Sequence, residues 1–247
     1  MAKHRIDQSD LRLATLTGLI GGITIGVILA RKLTTNKAIP SLKIWHNTWN
    51  ERYGIVAASV RATKVQKHYD QLMAAHPQFT PIALQQHLEN KLLPGIALYQ
   101  TLLEDGLDQE VALGEVQYLL GLTVIPYQKL WRLLDFVPDQ LVFPLFRRAV
   151  RCEIDIFFPS EGWKLTWIED NQERIAFDIQ DCFYLNVLKA YGVPELTPIF
   201  CHLDDIFNEN KSATILWQRS TTIGRGDVGC DFCWVNTNSS KQGTRAQ

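Results

Sequence analysis

Between Arg12 and Arg31 the chain runs from Leu13 to Ala30, LATLTGLIGGITIGVILA, without one charged residue and with basic residues at both ends. As a helix this stretch reaches roughly 27 Å, close to the ~30 Å hydrocarbon thickness of a bilayer, so it reads as a single transmembrane helix at the thin end of the range. Gly18, Gly22 and Gly26 recur at every fourth position. They share one helical face, a pattern that lets two helices approach closely in lipid, so self-association through that face is expected. Two other readings compete. A secretory signal would follow its apolar core with small residues, whereas Arg31-Lys32 comes directly after Ala30. A buried helix of a water-soluble core would be poorly served by four Gly and three Thr. Lys3, Arg5 and Arg12 on one side nearly balance Arg31, Lys32, Lys37 and Lys43 on the other, which leaves orientation open.

Residues 1–35 are therefore read as a segment apart, and the folded domain as residues 40–236. With 247 residues and 46% hydrophobic side chains, the chain has enough apolar surface to bury a core. Its 25 Lys+Arg against 26 Asp+Glu leave no overall positive field, which excludes a dedicated electrostatic nucleic-acid binder. Five Cys cannot all pair within one chain, so a reducing compartment, with the main domain on the cytoplasmic side, is expected.

Along the domain, Trp45, Trp49, Val56 and Val60 recur at helical spacing and predict one long amphipathic helix ending near His76-Pro77. Leu92, Ile96, Tyr99 and Leu103 predict a helix stopped by Gly106. Asp108 can cap a second one, with Ala112, Val116, Leu119 and Leu120 on its inner face. Pro126, Pro138 and Pro144 are expected to cut the next stretch of chain into short pieces. After Cys152 the texture changes. Trp163–Ile168 and Arg174–Ile179 alternate like paired strands, helices are expected over 182–190 and 199–208, and 214–220 with 229–236 form a late hairpin. The tail 237–247 is Ser-, Asn-, Gln- and Gly-bearing and reads as disordered. The fold class is α+β, a helical N-terminal half on a small antiparallel sheet, preceded by the single membrane helix.

Chemically capable side chains crowd into the second half. On a helix Cys201 lies at i, i+3 and i+4 from Asp204 and Asp205, the spacing at which a thiol and a carboxylate exchange a proton. A buried thiol beside a surface carboxylate fits the same spacing. Cys230-Asp231-Phe232-Cys233 invites zinc, but on a strand the two thiols point to opposite faces. The glycines of IGRGDVG lack the lysine and helix of a phosphate loop, and His46, His68, His76 and His87 share no ligand spacing. No metal and no cofactor is expected.

ALYQTLLEDGLDQEVAL (97–113), FDIQDCFYLNVLKAYGVPELTPIFCHLDDIF (177–207) and ILWQRSTTIGRGDVGCDFCW (215–234) resemble, in order and spacing, the L-2-amino-thiazoline-4-carboxylic acid hydrolase family. The likeness covers roughly residues 80–235. It departs at Cys233, where the family usually has another residue, and at Ser220, where Thr is commoner. The resemblance implies ring-opening hydrolysis of a cyclic amidine to a carbamoyl-cysteine. It implies Cys201, Cys182 and Cys230 as thiol candidates, Asp204 as base or proton shuttle, and Arg219 as partner of a substrate carboxylate, with Thr222 and His202 beside it. Cys201 with Asp204 is the leading pair. The late sheet is also similar to vinyl-reductase-associated and vesicle-tethering modules. In that reading the chain is a membrane-tethered, non-catalytic module with an apolar tunnel.

Overall fold

The computed structural model describes residues 38–209 and 211–238. Leu13–Ala30 with its three spaced glycines lies outside them, and among the described residues no helix is long and apolar enough to cross a membrane. The expected tail also falls outside from residue 239 on. Its first residue, Thr237, is tied to the sheet instead, its N–H donating to Thr214 O at 3.1 Å.

Helices dominate the first half. α1 (Leu42–Tyr53) buries Trp45 and Trp49, one turn apart, and α2 (Ile55–Ala75) buries Ala58, Ala62, Val65 and Tyr69. The single long helix expected here is two, because Gly54 at φ +82° turns the chain between them. Val56 and Val60 consequently face solvent, 75% and 54% exposed, instead of continuing the tryptophan stripe. α3 (Ile82–His87) runs through a widened turn over Leu88–Leu92 into α4 (Leu93–Glu104), which Gly106 at φ +88° ends as expected. Leu102 is the buried member of its last turn, and Leu103 is 40% exposed. α5 (Gln109–Leu130) is capped by Asp108, whose carboxylate accepts from Val111 N, and packs Ala112, Val116, Leu119 and Leu120 inward.

Two of the three prolines do not break the chain. Pro126 lies within α5 and Pro144 within α6 (Asp139–Phe157), and only Pro138 marks a helix start. Each interior proline removes one hydrogen bond from a helix of about twenty residues. Burial of Val142, Phe143, Phe146, Val150 and Ile154 holds α6 together across that gap.

Four antiparallel strands, β1 (Trp163–Asp170), β2 (Arg174–Cys182), β3 (Ile215–Gln218) and β4 (Cys230–Asn236), form a sheet in the order β1-β2-β4-β3. Between β2 and β3 the chain leaves the sheet for α7 (Phe183–Ala190) and α8 (Thr197–Asn208). Register puts Ile175 opposite Trp234, Phe177 opposite Phe232 and Ile179 opposite Cys230. These side chains form the inner face, where Phe177 stacks on Phe232 with centroids 4.9 Å apart. The opposite face carries Ala176 against Cys233 and Asp178 against Asp231. The two thiols of Cys230-x-x-Cys233 thus look to opposite sides of one strand, as alternation requires. β4 enters the centre of the sheet only after an eleven-residue connection from Arg219 to Gly229. That connection folds back over α8, and there the candidate site is built.

Candidate functional site

Three segments meet at one end of the sheet. β2 delivers Cys182 to the start of α7, α8 presents Cys201, Asp204 and Asp205 on one face, and the 219–229 connection brings Arg219, Thr222 and a short turn, Ile223–Arg225. Gly224 makes the approach possible. A Cβ there would lie 2.8 Å from Cys201 Sγ and 3.0 Å from Pro198 N, so only a residue without a side chain lets the turn settle on α8. Asp231, the second residue of β4, shapes the connection from the other side. Its carboxylate accepts from Ser220 N (2.9 Å), Ser220 Oγ (2.7 Å), Thr221 N (2.6 Å) and Thr221 Oγ1 (2.9 Å). Burial pushes this carboxyl up, but those donors outweigh it and hold it at about 2. Asp227 fixes the next residue, accepting from Thr222 N at 2.8 Å.

Arg219 is the charged centre of the cluster. Its guanidinium, 2% exposed, pairs with Asp205 at 2.6 Å and Asp204 at 3.4 Å, and donates to Cys201 O at 2.5 Å. Asp205 is anchored further by Trp217 Nε1 at 3.1 Å. The resemblance implies a substrate carboxylate as partner of Arg219; within the chain its neighbours are these. The guanidinium is already surrounded by two carboxylates and a carbonyl, and it sets the charge around Cys201 and Asp204.

The thiols differ sharply. Cys201 shares a hydrogen bond with Cys230, which above all pulls its proton affinity down. The Gly224 N–H and the Arg219 charge add to this against the opposing effect of burial. Cys230 moves the other way, upward, because it keeps the shared proton and is buried, though Ile223 N donates to its sulfur at 3.2 Å. Burial pushes Cys182 up to about 11 despite the N–H groups of Leu185 and Tyr184 at the start of α7. The Asp204 carboxyl is pushed up to about 7, first by burial and then by the charges of Cys201 and Asp205, against the pull of Arg219. Asp204 lies on the face of α8 turned toward Arg219. Protein packed around it desolvates the carboxyl, while 49% of the side-chain surface stays open.

Cys182, Cys201, Cys230, Asp204, Arg219 and Thr222, all singled out in the sequence, are therefore brought together. His202 adjoins Cys201 but donates and accepts nothing in this cluster among the described residues. Tyr184, beside Cys182, joins the cluster without a signal in the sequence. Its O–H donates to His87 Nδ1 at 2.7 Å, because His87 Nε2–H is committed to Phe157 O at 2.9 Å. Burial and the charge of Asp204 push the phenol well above its ordinary value, so it stays protonated. Nothing in the sequence joins His87 to residue 184, since the contact spans 97 positions. Cys233 lies apart on the outer face, where Arg174 Nε donates to it at 3.0 Å. Among the described residues no group of three or more His, Cys, Asp or Glu is placed to hold a metal ion.

Compared with known proteins, residues 85–234, more than half of the chain, match the family model described as L-2-amino-thiazoline-4-carboxylic acid hydrolase. No curated protein matches. One solved structure, the crystal structure of Fe(II) unliganded H-NOX protein from K. algicida, aligns with 80% of this chain and 95% of that one. At 10% identity and a TM-score of 0.26 it supports no argument about fold or ligand.

Proposed function

We propose, on the premise that the chain belongs to the L-2-amino-thiazoline-4-carboxylic acid hydrolase family, that it opens a cyclic amidine ring by hydrolysis with Cys201 as nucleophile and Asp204 as proton carrier. One observation carries the reading: a thiol with lowered proton affinity and a carboxyl with raised affinity stand one helical turn apart on α8. Near neutral pH this arrangement holds a thiolate beside a proton donor, the combination that addition to a C=N bond requires.

In a 2-amino-thiazoline, C2 bears the ring nitrogen, the ring sulfur and an exocyclic nitrogen. The Cys201 thiolate adds to C2, and the C=N electron pair moves to the ring nitrogen, which takes the Asp204 proton. The C2–S bond of the ring then breaks, the sulfur leaves as a thiolate, and an isothiourea remains on Cys201. Asp204, now a carboxylate, takes a proton from water as the water oxygen adds to C2. Departure of Cys201 as thiolate leaves a carbamoyl-cysteine. Arg219 keeps the Asp204 carboxylate in place through this exchange and favours the thiolate. The non-catalytic alternative calls for an apolar tunnel, whereas thiol, carboxyl and guanidinium stand together around α8.

The test is incubation of the purified protein with the thiazoline, following free thiol release. Cys201→Ser is expected to lower the rate at least ~10³-fold, with smaller losses for Cys182→Ser and Cys230→Ser. Full activity in all three variants would exclude covalent thiol catalysis.

A further inference from the structure

Hydrolysis needs one nucleophilic thiol, yet three converge, and Cys230 forms no bond to the substrate in ring opening. Its surroundings suggest another use. Cys230 is the first residue of β4 and only 6% exposed, with its sulfur under Ile223 N. Cys201 lies against the next residue, Gly224, with its side chain partly open to solvent. One turn therefore holds both sulfurs, Cys230 Sγ at the N–H of Ile223 and Cys201 Sγ against Gly224, the residue that follows it. One sulfur can meet a small solute; the other waits behind it.

We propose that Cys201 and Cys230 form a reversible oxidation site, in which a hydroperoxide oxidises Cys201 and Cys230 closes the product into an internal disulfide. The Cys201 thiolate attacks the outer peroxide oxygen, the O–O bond breaks, and the leaving oxygen takes a proton and departs as water or an alcohol. Cys201 is now a sulfenic acid. The sulfur of Cys230 attacks the Cys201 sulfur, the S–O bond breaks, and hydroxide leaves with the Cys230 proton as a second water. The two thiols have given up two electrons and the peroxide has accepted them. A disulfide needs its sulfurs at about 2.05 Å, so the turn carrying Ile223 and Gly224 must yield as the pair closes. The oxidised site has no thiolate, and ring opening stops until a dithiol reductant restores it.

Oxidation of the full reduced chain by hydrogen peroxide, followed by peptide mapping without reduction, tests this directly. Cys152 is exposed and serves as an internal reference thiol. The expected result is a Cys201–Cys230 linked peptide, reversed by dithiothreitol, forming at least ~10-fold faster than Cys152 is oxidised. In Cys230→Ser, Cys201 should accumulate as sulfenic acid and take up dimedone. Cys201 oxidising no faster than Cys152, pairing with Cys182 instead, or passing to sulfinic acid with Cys230 still reduced would each overturn the proposal. Mapping of the unsubstituted chain needs no variant to fold. The readout also needs no substrate, so it stands or falls separately from the ring-opening reaction.

Discussion

Cys201 and Asp204 lie one turn apart on α8, and their surroundings push their protons in opposite directions. Activity is therefore expected to rise as Cys201 ionises, below the ordinary thiol range, and to fall as Asp204 loses its proton near pH 7. Asp204→Asn should remove that alkaline limb and lower the rate ~10²-fold or more. Stability supplies a second readout. A carboxyl with raised affinity favours the folded state most below the ordinary carboxylate range, and this contribution is lost as pH rises through about 7. Urea unfolding at pH 5 and pH 8 should show a larger drop for the native chain than for Asp204→Asn; equal drops would contradict the shift. At this scale the sequence was readable where chemistry follows helical spacing, as with Cys201 and Asp204. It was silent on Asp231 and Tyr184, whose roles depend on partners brought close only by the sheet and by the packing of α3 on α7.

Among the elements, the 219–229 connection matters most, because it seats Thr222, Gly224 and Cys230 on α8. Gly224→Ala would drive a methyl group to 2.8 Å from Cys201 Sγ and 3.0 Å from the Pro198 backbone, so the turn must lift. Ring opening should fall at least ~10-fold, with a stability loss of about 1–3 kcal/mol. Gly114→Ala is the matching control. It sits within α5 with open space around it, and should stabilise by about 0.4–1 kcal/mol with activity unchanged. A lift of the turn that leaves the rate intact would remove the connection from the site. Strands, the two-helix hairpin and the late β3–β4 pairing were legible because alternation and capping are local signals. The interior prolines escape a local reading because tertiary burial decides whether a helix survives a lost hydrogen bond, and the break at Gly54 rests on a positive φ that the apolar spacing does not signal.

The whole molecule extends beyond its family match. The matched region begins at residue 85, yet α1 and α2 precede it and belong to the same core. Trp45 is fully buried and its Nε1–H donates to Leu119 O at 3.0 Å. Trp45→Ala should cost about 3–5 kcal/mol in urea unfolding, as much as a large core residue inside the match. Among the described residues the first to join the core is Ile39, 3% exposed and nine residues after Ala30. Nine residues span at most ~32 Å fully extended, so a helix formed by Leu13–Ala30 in a bilayer would hold the domain close to the surface. Carbonate-washed membranes of cells making the full chain should retain it, and removal of residues 13–30 should release the domain with its thiol chemistry unchanged. Recovery of the full chain in the wash would assign the uncharged stretch to a buried helix, and the three spaced glycines would then serve packing against the domain instead of another membrane helix.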